Sequence, residues 1–188
     1  MQVGKYLSLE AFCTCSQTYQ KYGDKIDPSP KNQESIVAIK ALNTYIIDPI
    51  IDRFGFPNFQ LTYGFCSPDL KRLLNQKDPQ TGFKNGRIDP SRDQHMAHEI
   101  NRNGKYYCPR LGAACDFRML NVNSEQVIDW IVEGNLPFDS IYYYGQRPIH
   151  ISYSEQTKQA IWAFTAQGTP TRKGTQKWQQ IIKNQQSL

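Results

Sequence analysis

The chain has 188 residues, of which 39% are hydrophobic and 12% aromatic. This composition is typical of one globular domain rather than of a disordered chain. The formal net charge of +5 permits an anionic partner but does not identify one.

Features that would place the chain in or across a membrane are missing from the sequence. No stretch approaches the ~20 apolar residues that span a bilayer, and residues 1–7 lack the charged start and apolar run of a signal peptide. The odd cysteine count, without an export signal, favours reduced thiols. These cysteines are Cys13, Cys15, Cys66, Cys108 and Cys115. We therefore expect a soluble cytoplasmic protein with no membrane partner.

The first half of the chain predicts a loop, a helix, a strand and a second helix. Residues 22–33 are rich in turn-forming residues, and an apolar stripe at helical spacing follows over residues 36–54, with a kink expected at Pro49 and an end at Gly55. Residues 59–65 alternate as a half-buried strand does. Ser67 and Pro68 are typical of a helix start, and residues 76–92 predict a long loop.

The second half predicts three strands and two helices. Residues 113–119 alternate, with Asp116 on one face and Cys115 and Phe117 on the other. A helical stripe around Val127 is closed by Gly134, and residues 138–144 and 148–153 predict a hairpin. A last helix is expected in a polar tail. The pattern indicates one α+β domain over residues 1–188, with a mostly antiparallel sheet and helices packed on one side.

Two histidines and one acid are the residues most typical of a catalytic metal site. Asp116 and His150 both fall inside predicted strands, where we expect a polar side chain either to face solvent or to have a functional role. Two imidazoles and a carboxylate with an open fourth position form a ligand set that catalytic zinc uses. The alternative is that His150 is a hydrogen-bonded sheet residue and that His95 and His98 lie on a loop.

Four segments in order resemble the zinc D-Ala-D-Ala carboxypeptidases, whose fold is hedgehog-like. Residues 39–55 are similar to a family helix that ends L-x-P-x-R-x-x-F-G, and residues 61–70 to S-G-Y-R-S-P-x-L. Residues 93–98 and 111–116 are similar to the two halves of S-x-H-x-x-G-x-A-x-D. Residues 137–141 and 150–152 resemble P-F-D-Q-L and H-x-S. The resemblance covers a core of about residues 5–155 and leaves a helical tail over about 156–188.

The resemblance implies zinc as the cofactor and His95, Asp116 and His150 as its ligands. The segment between the first two is about fourteen residues longer than in the family motif. Without that insertion the ligand position falls on Pro109, which cannot bind a metal, and His98 is the other candidate for the first ligand.

Two departures from the family pattern bear on activity. Tyr144 stands at the position of the family's catalytic glutamate, and a phenol with a pKa near ~10 is a poor base at neutral pH. Cys66 stands where the family has an arginine that the resemblance assigns to the substrate's carboxylate. Glu99 and Glu133 are considered as substitute bases, although each is more typical of a surface carboxylate.

Two functions therefore stand as hypotheses. One is a divergent zinc hydrolase, of phage or bacterial type, that acts on a peptide or another small substrate. The other is a non-catalytic binding module on the same fold, whose ligand is a peptide, a nucleotide or a nucleic acid. Tyr142 and Arg147 are the predicted ligand-binding residues, together with Cys66.

Overall fold

A computed structural model describes residues 1–165 and 167–187. Its strands form one mixed six-stranded sheet in the order β1-β2-β4-β3-β5-β6. The strands are Phe59–Tyr63 (β1), Ala113–Met119 (β2), Ser140–Tyr143 (β3), Ile149–Tyr153 (β4), Ala160–Phe164 (β5) and Pro170–Thr171 (β6). Neighbouring strands are antiparallel except for β3 and β5, which are parallel. The predicted α+β class with a mostly antiparallel sheet is confirmed.

Seven α-helices accompany the sheet in the described part of the chain. They are Leu9–Thr14 (α1), Gln17–Tyr22 (α2), Gln33–Leu42 (α3), Asp48–Phe54 (α4), Pro68–Asn75 (α5), Ser124–Glu133 (α6) and Arg172–Gln186 (α7). None of the described helices is long and apolar enough to span a bilayer.

Helices cover one face of the sheet, and the opposite face borders a cleft. Because successive side chains of a strand point to opposite faces, Cys115, Ile141, Ile151 and Ile161 all project into the core. Helix α3 packs on β2 and β4, α6 on β2, and α7 on β5. The alternate residues, Asp116 and His150 among them, therefore lie on the uncovered face.

The long helix expected over residues 36–54 is divided by a π-helical turn. This turn, Asn43–Ile47, lies directly before α4, in which Pro49 is near the first position. Proline has no N–H to donate to the preceding turn, and a wider turn accommodates its ring. Gly55 ends α4 with a φ of 89°, as predicted from the sequence.

The loop and the helix start predicted after β1 are confirmed. Ser67 caps α5 by accepting a 3.1 Å hydrogen bond from the backbone N–H of Leu70. Only isolated bridges interrupt the coil over the described residues 76–112. This coil carries His95 to the edge of the sheet.

The segment after residue 155 differs from the helical tail that we expected. It first forms β5, which pairs in parallel with β3, and β6, which pairs with β5, before α7 begins. The apolar run Ala160–Phe164 is short and follows a polar segment, so it gives little indication of a strand. The sheet is consequently wider than the resembling core, and its extra strands border the cleft.

Candidate metal centre

His95, Asp116 and His150 converge from three separate segments of the chain. Asp116 Oδ1 lies 2.8 Å from His150 Nδ1 and 3.3 Å from His95 Nε2. One ligand atom from each residue lies within 4.8 Å of the other two. The two histidines are 5% exposed, and the Asp116 side chain is about one-third exposed at 32%. The two imidazoles are therefore buried, and solvent or a ligand can reach the group at the Asp116 carboxylate.

Strand pairing fixes two of the three residues. Asp116 on β2 is the direct antiparallel partner of His150 on β4, so their side chains project from the same face of the sheet. Tyr142, the partner of His150 on β3, stacks on the imidazole with ring centroids 4.6 Å apart and planes inclined by 15°. The ring of His150 is thus held between a carboxylate and a phenol.

The loop histidine is oriented by backbone and side-chain contacts at both ends. His95 Nδ1 lies 2.8 Å from the carbonyl oxygen of Gly64, which fixes Nδ1–H as the donor and turns Nε2 toward Asp116. Asp93 Oδ1 accepts a 3.3 Å hydrogen bond from the His95 N–H. Tyr63 packs edge-on against the imidazole at 4.6 Å. These contacts present His95 Nε2 to the site.

The electrostatics of the group couple the carboxylate to the two imidazoles. Burial acts to raise the pKa of Asp116, but the charge of His95 and hydrogen bonds from both histidines hold it well below the ordinary value. Burial acts to lower the pKa of His95, yet the charge of Asp116 and the hydrogen bond to it raise that pKa to about 9. Asp116 is therefore ionised at neutral pH, as a metal ligand must be, whereas His95 is protonated and would release its Nε2 proton when it binds a metal.

The donor set fits a zinc ion. Two imidazoles and one carboxylate are the protein ligands of several catalytic zinc sites, and tetrahedral bonds of ~2.0–2.1 Å place neighbouring ligand atoms about 3.3 Å apart. The separation from Asp116 Oδ1 to His95 Nε2, 3.3 Å, equals that spacing, and the 2.8 Å separation to His150 Nδ1 is a hydrogen-bond distance that would lengthen around an ion. The ring nitrogens that face this carboxylate are His95 Nε2 and His150 Nδ1, so these two atoms would be the nitrogen ligands.

The three residues lie in the wall of a large open cleft with a volume of about 1310 Å³. The uncovered face of the sheet forms its floor, and the loop that leads to His95 forms one side. Tyr142, Tyr144 and Arg147 line it together with the three candidate ligands. The structure therefore brings two of the three predicted ligand-binding residues and Tyr144 to the candidate metal group.

His98 is not part of this group. Its Nε2 accepts a 3.0 Å hydrogen bond from the Gly112 N–H, and its Nδ1 lies 3.3 Å from Glu34. The long segment between His95 and Asp116 forms a loop outside the sheet. Its two ends lie close together, so the insertion does not separate His95 from Asp116. Between the two histidines that the sequence left open, the structure places His95 beside Asp116.

Cys66, a predicted ligand-binding residue, does not line the cleft. It is fully buried in a separate apolar cluster with Leu70 and Met96. Its backbone N–H donates a 2.8 Å hydrogen bond to the His95 carbonyl. Burial raises the pKa of its thiol to about 12, so it is a neutral core residue and not a substrate ligand. The expectation that Cys66 contacts substrate is corrected on this ground.

The predicted substitute bases are also away from the cleft. Glu99 is 1% exposed, and its Oε1 accepts hydrogen bonds from the N–H groups of Lys31 and Asn32 and from the Ser35 hydroxyl. This carboxylate holds the insertion to the start of α3, so its role is structural. Glu133, at the end of α6, is not among the described residues that line the cleft.

A buried polar network that the sequence analysis missed supports the site. Asp139 is 1% exposed and accepts hydrogen bonds from Gln94 Nε2 at 2.8 Å and from Arg110 Nη2. Arg110 also donates to the Arg92 carbonyl at 2.8 Å. The network ties the residue before His95 to the start of β3. Its one signal in the sequence is Asp139, an acid inside the strand predicted over residues 138–144.

No family model, curated protein or solved structure matched this chain.

Proposed function

We propose that His95, Asp116 and His150 bind one zinc ion and that the chain is a metal-dependent hydrolase related to the zinc D-Ala-D-Ala peptidases. The observation that carries the proposal is the convergence of the three donors in the wall of an open cleft. The order His, Asp, His along the chain, with the last two on paired strands, agrees with what the resemblance implies.

The chain's own residues would hold the metal and its substrate. His95 Nε2, the Asp116 carboxylate and His150 Nδ1 face one another and would be the ligands. When bound, zinc would supply a Lewis acid that polarises a carbonyl or phosphoryl group. Gly64 would keep the first imidazole in the tautomer that leaves Nε2 free to ligate.

Tyr144 has a different role from the glutamate that it replaces. Burial, and then the nearby charge of Asp116, raise the pKa of Tyr144 above its ordinary value, so the phenol remains protonated at neutral pH. It can donate a hydrogen bond to a bound substrate but cannot take a proton from water. With Cys66 withdrawn into the core as well, we propose a substrate other than a free C-terminal D-Ala-D-Ala.

A second candidate is a binding module that keeps the metal without turnover. The observation in its favour is that the other cleft carboxylates are engaged. Asp89 contacts Arg92 at 3.3 Å and accepts from Ser91 at 2.6 Å, while Asp93 accepts from the His95 backbone. Hydrolysis of model peptides and esters by zinc-loaded protein, lost in His150→Ala, distinguishes the hydrolase from this module.

The test of the metal site is elemental analysis of the purified protein and of three histidine variants. We expect about one zinc per chain in the parent and in His98→Ala, the matched control, and none in His95→Ala or His150→Ala. Far-UV circular dichroism checks that each variant is folded. The parent's failure to bind zinc after zinc is added back would contradict the proposed function.

A further inference from the structure

The uncovered face of the sheet carries a row of side chains that begins at the metal group. Asp116, His150, Tyr142 and Trp162 are successive cross-strand partners on β2, β4, β3 and β5. Because side chains alternate along each strand, residues two positions further on share the same face. These are Arg118, Tyr144 and Phe164. All of these residues line the cleft.

The outer part of this face is a platform of aromatic rings. Tyr144 stacks on Phe164 with ring centroids 4.6 Å apart and planes inclined by 18°. Trp162 is 50% exposed and has no aromatic ring partner in the part of the chain that the structure describes. An indole that is half exposed within a cleft offers a flat surface for a planar ligand.

Arginines surround this platform. The described lining includes five arginines and no lysine: Arg87, Arg92, Arg110, Arg118 and Arg147. Three aspartates balance them in part, of which Asp116 belongs to the metal group and Asp89 is paired with Arg92. Arg110 is paired with the buried Asp139, whereas Arg87 and Arg118 form no ion pair with any described residue. The cleft therefore favours an anion, and a bound zinc ion would strengthen that preference.

The combination of arginines with aromatic rings identifies the chemistry of the ligand. The guanidinium fork matches phosphate oxygens in geometry and also stacks on flat rings. Stacking on aromatic side chains together with a basic groove is how proteins hold unpaired nucleotides. An acidic peptide would use the arginines but would leave Trp162 without a matching group.

We propose that this cleft binds nucleotides, with a base stacked on Trp162 and phosphate groups on the arginines that line the cleft, Arg118 among them. Arg118 on β2 and Trp162 on β5 are three strand spacings apart, about 14 Å, so the two side chains would contact different nucleotides. The volume of about 1310 Å³ exceeds the ~300–1,000 Å³ typical of pockets for a single small molecule. This inference rests on the proposed function in taking the same cleft as the substrate site, but binding does not require the metal. Free nucleotides and single strands share this chemistry.

The experiment measures binding of fluorescein-labelled decathymidylate by fluorescence anisotropy at low salt, with thymidine monophosphate as an unlabelled competitor. We expect Arg118→Gln and Trp162→Leu each to weaken binding by about tenfold, since one stacked base or phosphate contact is lost. Arg118→Gln also reduces the slope of log K against log salt by about 0.7. A dissociation constant much lower for decathymidylate than for thymidine monophosphate would identify the ligand as a single-stranded nucleic acid. Equal dissociation constants per nucleotide would identify it as a free nucleotide.

The matched controls are Arg53→Gln and Tyr45→Leu, which alter exposed residues outside the cleft. Tyr45 is 51% exposed, close to the value for Trp162. Equal weakening in these controls, or binding of decaglutamate as tight as that of decathymidylate, would overturn the inference. A parent that binds zinc but no decathymidylate contradicts this inference alone. A parent that binds decathymidylate but no zinc contradicts the proposed function alone.

Discussion

Asp116 and His150 are direct partners across β2 and β4, with His150 Nδ1 2.8 Å from Asp116 Oδ1. The backbone ladder of the sheet thus sets the distance between two candidate ligands, and only His95 depends on a loop. Such a group is preorganised, because rigid strands hold its side chains before any ion binds. Substitution of either strand residue should therefore affect metal binding more than folding.

Asp116→Asn should weaken zinc binding by at least about 100-fold, since even the loss of a residue that only orients a ligand costs ~10–100-fold. The amide keeps the shape of the side chain but removes the negative charge between the two histidines. A competition titration with a chromogenic zinc chelator measures the change. Asp129→Asn, on the helix-covered side, is the control, and equal affinities in the two variants would contradict this prediction.

Gly64→Ala should destabilise the protein by about 1–3 kcal/mol, because an added Cβ would lie 2.1 Å from the backbone oxygen of Phe12. The backbone must then shift, and the Gly64 carbonyl that holds His95 moves with it. Urea denaturation measures the free energy of unfolding. Gly23→Ala is the control, since its Cβ would meet the Tyr19 ring at 3.3 Å, where a side chain can move. Equal stabilities of the two variants would refute this account.

The elements of the fold could be predicted largely from local patterns. Alternation in residues 113–119 places Asp116 opposite Cys115 and Phe117, and the structure has the same arrangement. Strand β5 was missed because its pairing with β3 is a long-range contact, and nothing in Ala160–Phe164 specifies the partner. Local sequence fixes the period of a strand but not its neighbour.

The environment of single residues was harder to predict. The sequence predicts Cys66 and Glu99 in the site from a motif position and from a neighbouring histidine, but both are buried and neither lines the cleft. A buried carboxylate depends on donors that are distant in sequence: Lys31 and Ser35 bind Glu99 across more than sixty positions. A single sequence does not show such distant partners, so it cannot distinguish a buried structural carboxylate from a catalytic one.

Glu99→Ala should lower stability by about 1–3 kcal/mol and leave the zinc content at the parent value. The substitution leaves the N–H groups of Lys31 and Asn32 and the Ser35 hydroxyl without their acceptor. Glu99→Gln retains an acceptor oxygen and should cost less. Chemical denaturation and elemental analysis measure the two quantities. Loss of zinc from folded Glu99→Ala would show that this residue belongs to the metal site.

The five cysteines of the native protein should react slowly with iodoacetamide at pH 8, and all five should react in urea. Burial raises the pKa of Cys13, Cys15 and Cys66 to about 12, so almost no thiolate is present. Mass spectrometry of the alkylated protein counts the modified thiols. Cys15 is the most informative, since it lines the cleft, and its rapid labelling would contradict the expected protonation state.

Asp139→Asn should destabilise the protein at neutral pH by about 3 kcal/mol, because it leaves the Arg110 charge without its partner in a site that is largely closed to water. Burial acts to raise the pKa of Asp139, but hydrogen bonds from Gln94 and Arg110 lower it below the ordinary value. The folded state therefore holds the ionised form more strongly than the unfolded state does. This contribution is complete above about pH 4, the ordinary range of an aspartate, and is lost as the pH falls through the lowered pKa.

The difference in stability between the parent and Asp139→Asn should consequently shrink as the pH is lowered from about 5 to 2. Urea denaturation at a series of pH values measures it. Asp52→Asn, which breaks an exposed pair with Lys5, serves as the control and should change the stability much less, because water screens exposed charges. A difference that stays constant down to pH 2 would mean that Asp139 is not ionised in the folded protein. Arg110 and Gln94 would then hold the loop before His95 through hydrogen bonds to a neutral Asp139 carboxyl group.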